Sequence, residues 1–451
     1  MIPRVSRLSR RLLPSGSLRA RLARGAVWSA LGSGFSRAMT LVSMIVVARV
    51  LGTARFGQLG IVQSTAGVFS VYAGLGLNLT ATKYLAGYRR SDPERAGRIL
   101  ALVERVALGS GGACALVVGL AAPVLALRVV HAPSLAGALA SGAALIFFGA
   151  LNGVQTGALA GLEAFKALAR VNALAAAGSL TFPLVGVWLL GLEGAVIGLA
   201  AALAVSCLLA GIALRAELAR AGIRPDRAGW WRERGVLWRF ALPAVLGSSL
   251  FVPATWIGDL ILVNRHPRGY AELGVFNAAD QWRVALLFLP GVLAPVVVSV
   301  FSNLRLAGHP RRRRLIALAM IASGAAAGTP GLFVTLAASR IMGLYGSGFQ
   351  NREPVLTLLV LTAVVAALAG VFGQVIVSSL SMWWNLALNA LWAAGFIVSC
   401  TLLVPRFGAE GLAVALLIAY LAQFVSDGAY VAWALRPGRS PAAGSLTMEG
   451  A

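Results

Sequence analysis

The apolar stretch from Leu273 to Val300 is long enough to cross a bilayer, yet its first half contains several polar side chains. About 20 residues at roughly 1.5 Å per residue span the hydrocarbon core as a helix. Helical spacing places Asn277, Asp280 and Arg283 near one face, with Gln281 beside them. A charged side chain at the bilayer centre costs about 2.5–3.5 kcal/mol, so this face cannot contact lipid. The stretch therefore predicts a bundle interior or a water-filled cavity within the membrane.

The composition indicates a polytopic membrane protein. Of the 451 residues, 59% are hydrophobic and 12% are charged, whereas soluble proteins average about 25% charged residues. A net charge of +24 in a soluble chain would suggest nucleic acid, but here the charges lie between the apolar runs, so no nucleic-acid partner is expected. The three cysteines all lie inside apolar runs and the three histidines have no ligand-like spacing. We therefore expect no disulfide framework, no metal site and no cofactor.

The apolar runs predict an all-α integral membrane protein with about 12 transmembrane helices. The first six predicted spans are 26–48, 57–78, 97–125, 135–160, 168–190 and 194–214, and the second six are 236–263, 273–300, 315–338, 354–378, 382–404 and 411–435. With the N-terminus inside, the inner segments hold 28 Lys and Arg residues and the outer segments hold 8. Positive residues concentrate on the cytoplasmic side. Both termini are therefore predicted to be cytoplasmic.

The chain also repeats itself at an offset of 217 residues. The run Asn172 to Gly178 matches the run Asn389 to Gly395, Gly191 to Gly194 matches Gly408 to Gly411, and Gly57 matches Gly274. Because six spans per repeat is an even number, the two halves have the same orientation. We therefore predict two six-helix bundles related by a pseudo-two-fold axis along the membrane normal, with the working site between them.

These features predict five segments. They are a basic cytoplasmic N-terminal segment at 1–25, an N-terminal bundle at 26–214, a cytoplasmic linker at 215–235, a C-terminal bundle at 236–435 and a cytoplasmic C-terminal tail at 436–451. The arginine-rich first segment is expected to set the topology and to lie on anionic lipid.

The charged residues inside the spans differ between the two halves of the repeat. Arg37 lies near the middle of the first span, where it is either a fixed positive charge for a phosphate or an internally paired or snorkelling side chain. Arg283 is similarly deep. It either forms a static pair with Asp280 or faces the cavity as an arginine whose anionic partner can be exchanged for substrate. Substrate binding is therefore assigned to Arg37, Arg283, Asp280, Asn277 and Gln281.

Three further residues have two interpretations each. Asp259 lies near the outer end of its span and is either an interfacial residue or part of the site, where it could carry a coupling ion or proton, as could Asp280. Asn78 and Lys83 are candidates for the inner mouth of the cavity, although Lys83 equally fits a plain topology signal. The prolines of the seventh and eighth spans predict kinked helices suited to a gate; they are Pro243, Pro253, Pro290 and Pro295.

Several passages in the same order resemble a known family. The run Ala48 to Gly57 is similar to the ARxLGxxxFG passage of polysaccharide transporters, and Gly258 to Leu262 followed by Leu273 to Ala279 is similar to their GDxxxL and LGxYNAA passages, with Phe276 where Tyr is usual. Leu344 to Phe349 and Leu402 to Gly411 also resemble landmarks of these proteins. The family contains the flippases of lipid-linked oligosaccharides within the multidrug/oligosaccharidyl-lipid/polysaccharide exporter superfamily.

The resemblance implies a fold and a function. It implies twelve helices in two bundles around a V-shaped central cavity, in a bacterial cytoplasmic (inner) membrane. The implied substrate is an undecaprenyl-pyrophosphate-linked oligosaccharide that moves from the inner to the outer leaflet during surface polysaccharide biosynthesis, as for O-antigen or exopolysaccharide. Membrane lipids, an H⁺ or Na⁺ counter-ion and other membrane proteins of glycan assembly are the implied partners.

Three other functions remain open on the sequence. A multidrug-type antiporter of small cations would need a net acidic cavity, whereas the residues assigned here include two deep arginines. A membrane-embedded glycan polymerase or ligase would need acid and base residues near a sizeable outer loop, and the predicted outer segments contain no such set. A non-transporting scaffold of a glycan assembly complex is the third. The sequence favours a transporter that is not an enzyme.

Overall fold

A computed structural model describes residues 18–226, 229–237, 250–303, 310–379 and 382–434, and the described residues form helices without any strand. Most of the predicted N-terminal segment (1–17), the predicted tail 436–451 and part of the seventh predicted span (238–249) lie outside them. The helices, numbered in chain order, are α1 (Leu18–Gly74), α2 (Leu77–Tyr88), α3 (Pro93–Val124), α4 (Ala136–Gly161), α5 (Phe165–Ala221), α6 (Phe251–Arg265), α7 (Gly269–Leu286), α8 (Phe288–Asn303), α9 (Pro310–Leu336), α10 (Ala338–Leu344), α11 (Glu353–Ser379) and α12 (Met382–Ala434).

Seven continuous helices in the described residues are long and apolar enough to cross a membrane. The all-helical membrane architecture is therefore as predicted, while the number of twelve spans stays a prediction. Three of the longest helices, α1, α5 and α12, each contain one residue outside the helical region of backbone space. These residues are Gly52, Gly191 and Gly408, and each divides its helix into two arms.

Glycine at these three positions replaces the loops that the sequence predicted at the same places. Gly191 and Gly408 have φ values of +61° and +53°, in the left-handed region that glycine adopts without a Cβ penalty. In α5 the two arms lie side by side in opposite directions. Two close contacts across Gly191 show this: a Cβ on Gly186 would overlap the carbonyl of Gly194, and a Cβ on Gly198 would overlap the carbonyl of Phe182. The glycine therefore reverses the chain with a single non-helical residue.

The structure repeats at the offset predicted from the sequence. Helix α4 begins at residue 136 and α11 begins at residue 353, which is 217 residues later. The non-helical glycines of α5 and α12 are also 217 residues apart and have nearly the same dihedral angles, with ψ of −129° and −126°. We call residues 18–226 the first half and residues 250–434 the second half.

The two halves meet in a reciprocal contact. A Cβ on Gly57 would overlap the carbonyl of Tyr270, and a Cβ on Gly274 would overlap the carbonyl of Thr53. Since 57 and 274 correspond in the repeat, as do 53 and 270, each half makes the same contact to the other. This is the relation that a pseudo-two-fold axis between α1 and α7 requires, and it confirms the predicted symmetry of the halves.

Further contacts between the halves close one end of the molecule, at the level of Gly52 and Gly269. The Tyr270 hydroxyl donates to the carbonyl of Val130 at 2.8 Å, and the Asn264 side-chain amide donates to the carbonyl of Val129 at 2.9 Å. Both carbonyls lie at the end of a π-helix, Leu125–Val129, where backbone acceptors are left without helical partners. We call this region, residues 129–131 with 264–270, the closed end.

The prolines have different effects. The eighth predicted span is broken between α7 and α8, at Leu287, and Pro290 lies three residues beyond the break, where its ring opposes a continuous helix. Pro253 instead lies in the first turn of α6, a position that tolerates proline. The predicted kink is therefore found at Pro290, and Pro253 makes none within the described part of the seventh span.

The segment between the halves packs on the first half. Helix α5 extends to Ala221, beyond the end predicted at 214, and the chain then runs along α3, where a Cβ on Gly97 would overlap the carbonyl of Arg224. Glu233 pairs with Arg95 and Arg98 of α3 at 3.3 and 3.4 Å. The described part of the connection is therefore anchored to α3 by ion pairs.

Candidate functional site

A cavity of about 570 Å³ lies between the halves. Its walls come from both arms of α1 and the second arm of α5 in the first half, and from α6, α7 and both arms of α12 in the second half. The polar residues that line it are Ser36, Arg37, Thr40, Gln63, Ser64, Thr255, Asp259, Asn277, Asp280, Gln281 and Arg283. The structure thus brings together six of the eight residues that the sequence assigned to the site.

The two main walls are equivalent in the repeat but carry different chemistry. Gly60 and Gln63 of α1 correspond to Asn277 and Asp280 of α7, and all four line the cavity. The Asn277 amide lies against Gly60, where any Cβ would overlap it. In the described part of the chain, Asn277 Nδ2 and Gln281 Oε1 are buried without a hydrogen-bond partner. Buried unpaired polar atoms are costly, so these two atoms are the groups of this wall whose hydrogen bonding the described residues leave unsatisfied.

Arg283 is held by a bidentate contact with Asp280. Its Nε donates to Oδ1 at 2.5 Å and its Nη2 donates to Oδ2 at 3.2 Å. The arginine side chain is 8% exposed and the aspartate 24%, so the carboxylate is the more accessible partner. The Tyr420 side chain of α12 lines the same space as Arg283. The pair is therefore formed in this structure, and a third group, not predicted from the sequence, lies beside the guanidinium.

Asp259 lies in the cavity wall contributed by α6 and is buried. The Ser64 side chain of α1 lies beside its carboxylate, so groups of the two halves meet here across the cavity. Asp280 is a charged group that acts on it. This position inside the cavity wall favours the assignment of Asp259 to the site over an interfacial location.

Arg37 extends from the first arm of α1 over the ring of Phe288, 5.3 Å from its centroid. Within the described residues it makes no ion pair. A neighbouring cavity of about 540 Å³ shares Arg37 and Arg283 with the central one and extends along α8 to Gly291, away from the closed end. Arginines from opposite halves therefore share one continuous region of polar space.

Asn78 and Lys83 are not among the residues that line the cavity. The chain turns at Leu75 and Gly76, which both have positive φ, and the turn directs α2 away from the arm of α1 that forms the wall. The backbone of Asn78 packs instead against Gly157 of α4, and Lys83 lies beside the ring of Tyr84. Their assignment to an inner mouth stays a prediction.

Comparison with known proteins places the chain in a family. The sequence profile of the family described as polysaccharide biosynthesis protein matches residues 22–304. The chain is 25% identical over 397 residues to the EPS I polysaccharide export inner membrane protein EpsE of Ralstonia nicotianae, covering 85% of this chain and 88% of that protein. It is 24% identical over 408 residues to the protein of the same name from Ralstonia solanacearum, with the same coverage.

Two solved structures have a similar fold. One is an inward-facing multidrug resistance MATE transporter of the MOP superfamily, with a TM-score of 0.68, 15% identity and coverage of 92% of this chain and 100% of that one. The other is the lipid II flippase MurJ in an inward closed conformation, with a TM-score of 0.68, 13% identity and coverage of 90% and 87%. The family match and the export proteins of Ralstonia agree with the prediction of a membrane transport protein that is not an enzyme. The chain belongs to the polysaccharide biosynthesis protein family, the group of polysaccharide exporters that its sequence motifs resemble.

Proposed function

We propose that this protein moves a polyprenyl-pyrophosphate-linked oligosaccharide from the inner to the outer leaflet of the bacterial cytoplasmic membrane by alternating access. The observation that supports this best is the presence of Arg37 and Arg283, one from each half, in the same polar space. A pyrophosphate carries several negative charges and cannot enter hydrocarbon unaided. Guanidinium groups bind phosphate oxygens through paired N–H donors and replace the hydration that the anion loses.

The direction of transport depends on the predicted topology. With the N-terminus inside, the closed end faces the outside and the cavity extends along α8 toward the cytoplasm. This arrangement suits loading from the inner leaflet, where the lipid-linked unit is assembled. The sugar head would occupy the polar space between the halves, and the lipid chain would stay in the bilayer.

The charges of the cavity distinguish this proposal from cation export. Asp280 is neutralised by Arg283, and Asp259 is buried beside Ser64. Arg37 makes no ion pair with any described residue, so it leaves a positive charge in the wall for an anion. A transporter of organic cations would instead leave a carboxylate unpaired at the centre of the cavity.

The same cavity offers two carboxylates for coupling to an H⁺ or Na⁺ counter-ion. Asp280 is ion-paired in this state, whereas Asp259 contacts a neutral hydroxyl of the other half. A carboxylate that can lose its charge or bind a cation would change the contact between the halves. We therefore assign coupling to Asp259 in the resting state, with Asp280 becoming available once Arg283 binds the substrate.

The proposal is tested with Arg283→Ala and Arg37→Ala in a strain that lacks its own copy of the protein. Each variant should reduce surface polysaccharide by at least tenfold while lipid-linked units accumulate, because units are still assembled but not exported. The accumulated lipid should be on the inner leaflet, as measured by its protection from an external glycosidase. Arg215→Ala, an exposed arginine of α5 outside the cavity, is the matched control and should export normally. Normal export by both cavity variants would overturn the proposal.

A further inference from the structure

A second cavity of about 340 Å³ lies inside the second half, beside the central cavity. It is formed between α11 and the two arms of α12. Its polar lining consists of Asn389, Gln423, Trp392 and Tyr420, and Gly370 and Gly373 form the opposite wall. No charged residue lines this cavity in the described part of the chain. We call it the amide pocket.

The repeat shows that an amide of this pocket has a different partner from its counterpart in the first half. In the first half, Asn172, the counterpart of Asn389, donates to Ser33 at 3.2 Å. In the second half, the counterpart of Ser33 is Leu250, which cannot accept this bond. Asn389 therefore faces Gln423 instead, at 3.3 Å, and both amides border open space.

The opposite wall differs between the halves in a related way. In the first half, Asn152 of α4 donates to Ser206 of α5 at 2.9 Å, so a side chain links the two helices. The equivalent of Asn152 is Ala369, which is too short to cross, and the equivalent of Ser206 is Gln423. A Cβ at Gly370 or at Gly373 would meet no atom within 4 Å. Small residues thus keep open in the second half a space that the first half bridges with a hydrogen bond.

Trp392 adds a donor without a partner. Its ring is stacked on Phe251 at 4.7 Å and on Phe396 at 5.6 Å, so its orientation is fixed. The residue is 3% exposed, and its indole Nε1 has no acceptor among the described residues. An unpaired buried donor costs about 1–3 kcal/mol. A ligand with an acceptor at this point would remove that cost.

The chemistry of the pocket selects one class of ligand. Amide groups both donate and accept, the indole donates, and aromatic rings offer apolar contact. Without a lining cation the pocket has nothing to hold a phosphate, and without a lining carboxylate it has nothing to neutralise an amine. A sugar ring has neutral hydroxyls that donate and accept, together with apolar C–H faces, and therefore fits both properties of the wall.

The pocket adjoins the candidate anion site. Phe251 and Tyr420 line both the amide pocket and the neighbouring cavity that contains Arg37 and Arg283, and Tyr420 lies beside Arg283. A pyrophosphate at Arg283 would place the sugar attached to it next to Tyr420. We propose that the amide pocket binds a neutral sugar residue of the lipid-linked substrate, an inference that rests on the function proposed above.

The test compares two probes on the purified full-length protein in nanodiscs. One probe is undecaprenyl pyrophosphate without sugar, and the other is the pool of lipid-linked oligosaccharide extracted from source cells that lack this protein. Gln423→Ala and Gly370→Leu should each weaken binding of the glycosylated probe about tenfold, which corresponds to about 1.4 kcal/mol. Neither should change binding of the bare pyrophosphate lipid.

Two comparisons keep the outcomes separate. Gly395→Leu, at another glycine of α12 whose Cβ would meet no atom within 4 Å and which does not line the pocket, controls for added bulk and should bind both probes normally. Arg283→Ala should weaken both probes; if it weakens neither, the proposed function fails. If Arg283→Ala weakens both but the pocket variants treat the two probes alike, the sugar site is refuted and the proposed function stands.

Discussion

At the scale of single residues, the cavity contains an arginine that already has an anionic partner. Arg283 cannot bind a phosphate with the same donors while Asp280 holds them at 2.5 and 3.2 Å. An incoming pyrophosphate must therefore compete with a carboxylate that is fixed three residues away on the same helix. Such competition lowers affinity and also favours release, because Asp280 can recover the guanidinium when the phosphate leaves.

Asp280→Asn tests whether this pair is exchangeable. An asparagine keeps the shape but removes the charge that competes with the substrate, so the affinity for undecaprenyl pyrophosphate should rise about tenfold. The rate of transport should fall because release is slower. The measurement is equilibrium binding in nanodiscs together with flipping in proteoliposomes. An unchanged affinity would show that the pair is static and that Arg283 has only a structural role.

Glu272 is a residue whose importance the sequence did not indicate. Its side chain is 3% exposed, accepts from Arg352 at 2.5 Å, and accepts from the backbone N–H of Ala409 at 3.1 Å. Ala409 directly follows Gly408, the non-helical glycine of α12, so the Glu272 carboxylate lies at the start of a helical arm, where negative charge is stabilising. Loss of this carboxylate leaves the buried N–H of Ala409 and the guanidinium of Arg352, which is 27% exposed, without their acceptor.

Glu272→Ala should therefore lower the free energy of unfolding by about 2–4 kcal/mol. The measurement is thermal unfolding of the purified protein in detergent, followed by intrinsic tryptophan fluorescence. Glu217→Ala is the matched control, because Glu217 pairs with Arg220, whose side chain is 72% exposed, and exposed pairs contribute at most about 1 kcal/mol. Equal shifts for the two variants would contradict the stabilising role of Glu272.

The cost of charge in a membrane explains which site residues could be predicted. Arg37, Asp259, Asp280 and Arg283 stand out in apolar runs, and all four line the cavity. Tyr420 is one more aromatic residue in an apolar helix, and nothing in the sequence distinguishes it. Asn78 was assigned to the site by its position along the span, but the turn at Leu75 and Gly76 moves it away from the cavity wall. An apolar run in the sequence does not indicate that two consecutive residues adopt the left-handed conformation.

At the scale of helices, close approach between α1 and α7 depends on glycine in both halves. Gly57→Ala and Gly274→Ala each place a methyl group where a carbonyl of the other helix lies. Backbone atoms cannot move aside as a side chain can, so each change should cost at least about 1–3 kcal/mol. Both should reduce the yield of folded protein and lower its melting temperature by similar amounts, because the two contacts are equivalent.

The control for these variants is Gly87→Ala in α2, where the added Cβ would meet no atom within 4 Å. It should leave stability unchanged or raise it by up to about 1 kcal/mol, since alanine is the better helix former. Fluorescence-detected size-exclusion chromatography of all three variants provides the comparison. If Gly57→Ala is as stable as Gly87→Ala, the halves do not approach as closely as described.

The sequence predicted the positions of the helical reversals better than their form. The gaps predicted between spans at 191–193 and 405–410 contain the non-helical glycines of α5 and α12, and the 217-residue repeat is present in the starts of α4 and α11. The gaps were expected to be loops, because hydropathy marks where an apolar run ends. It does not show that one left-handed glycine is sufficient to reverse the chain. Proline, in contrast, correctly indicated the break before Pro290.

At the scale of the whole molecule, few polar contacts hold the closed end together. Tyr270 and Asn264 of the second half reach carbonyls of Val130 and Val129 in the first, and His131 lies 3.0 Å from Asn264. His131 also has a φ of +52°, which is unfavourable for a residue with a side chain. Alternating access requires this end to open, and the close contact of Gly57 with Tyr270 must separate with it. Weak bonds to backbone carbonyls are suited to this, because each contributes only about 1 kcal/mol.

The double variant Tyr270→Phe with Asn264→Ala should therefore favour the state in which this end is open. Loss of about 2 kcal/mol shifts a two-state equilibrium by more than tenfold. Spin labels at Arg128→Cys and Arg265→Cys, after replacement of the three native cysteines, report the distance between the halves at exposed positions. The parent should show one short distance, and the variant should add a longer one. The control variant Thr401→Val removes a hydroxyl that bonds only within its own helix, so it should leave the distance distribution unchanged. If the double variant also leaves the distribution unchanged, apolar packing, as between Phe56 and Phe349, keeps this end closed.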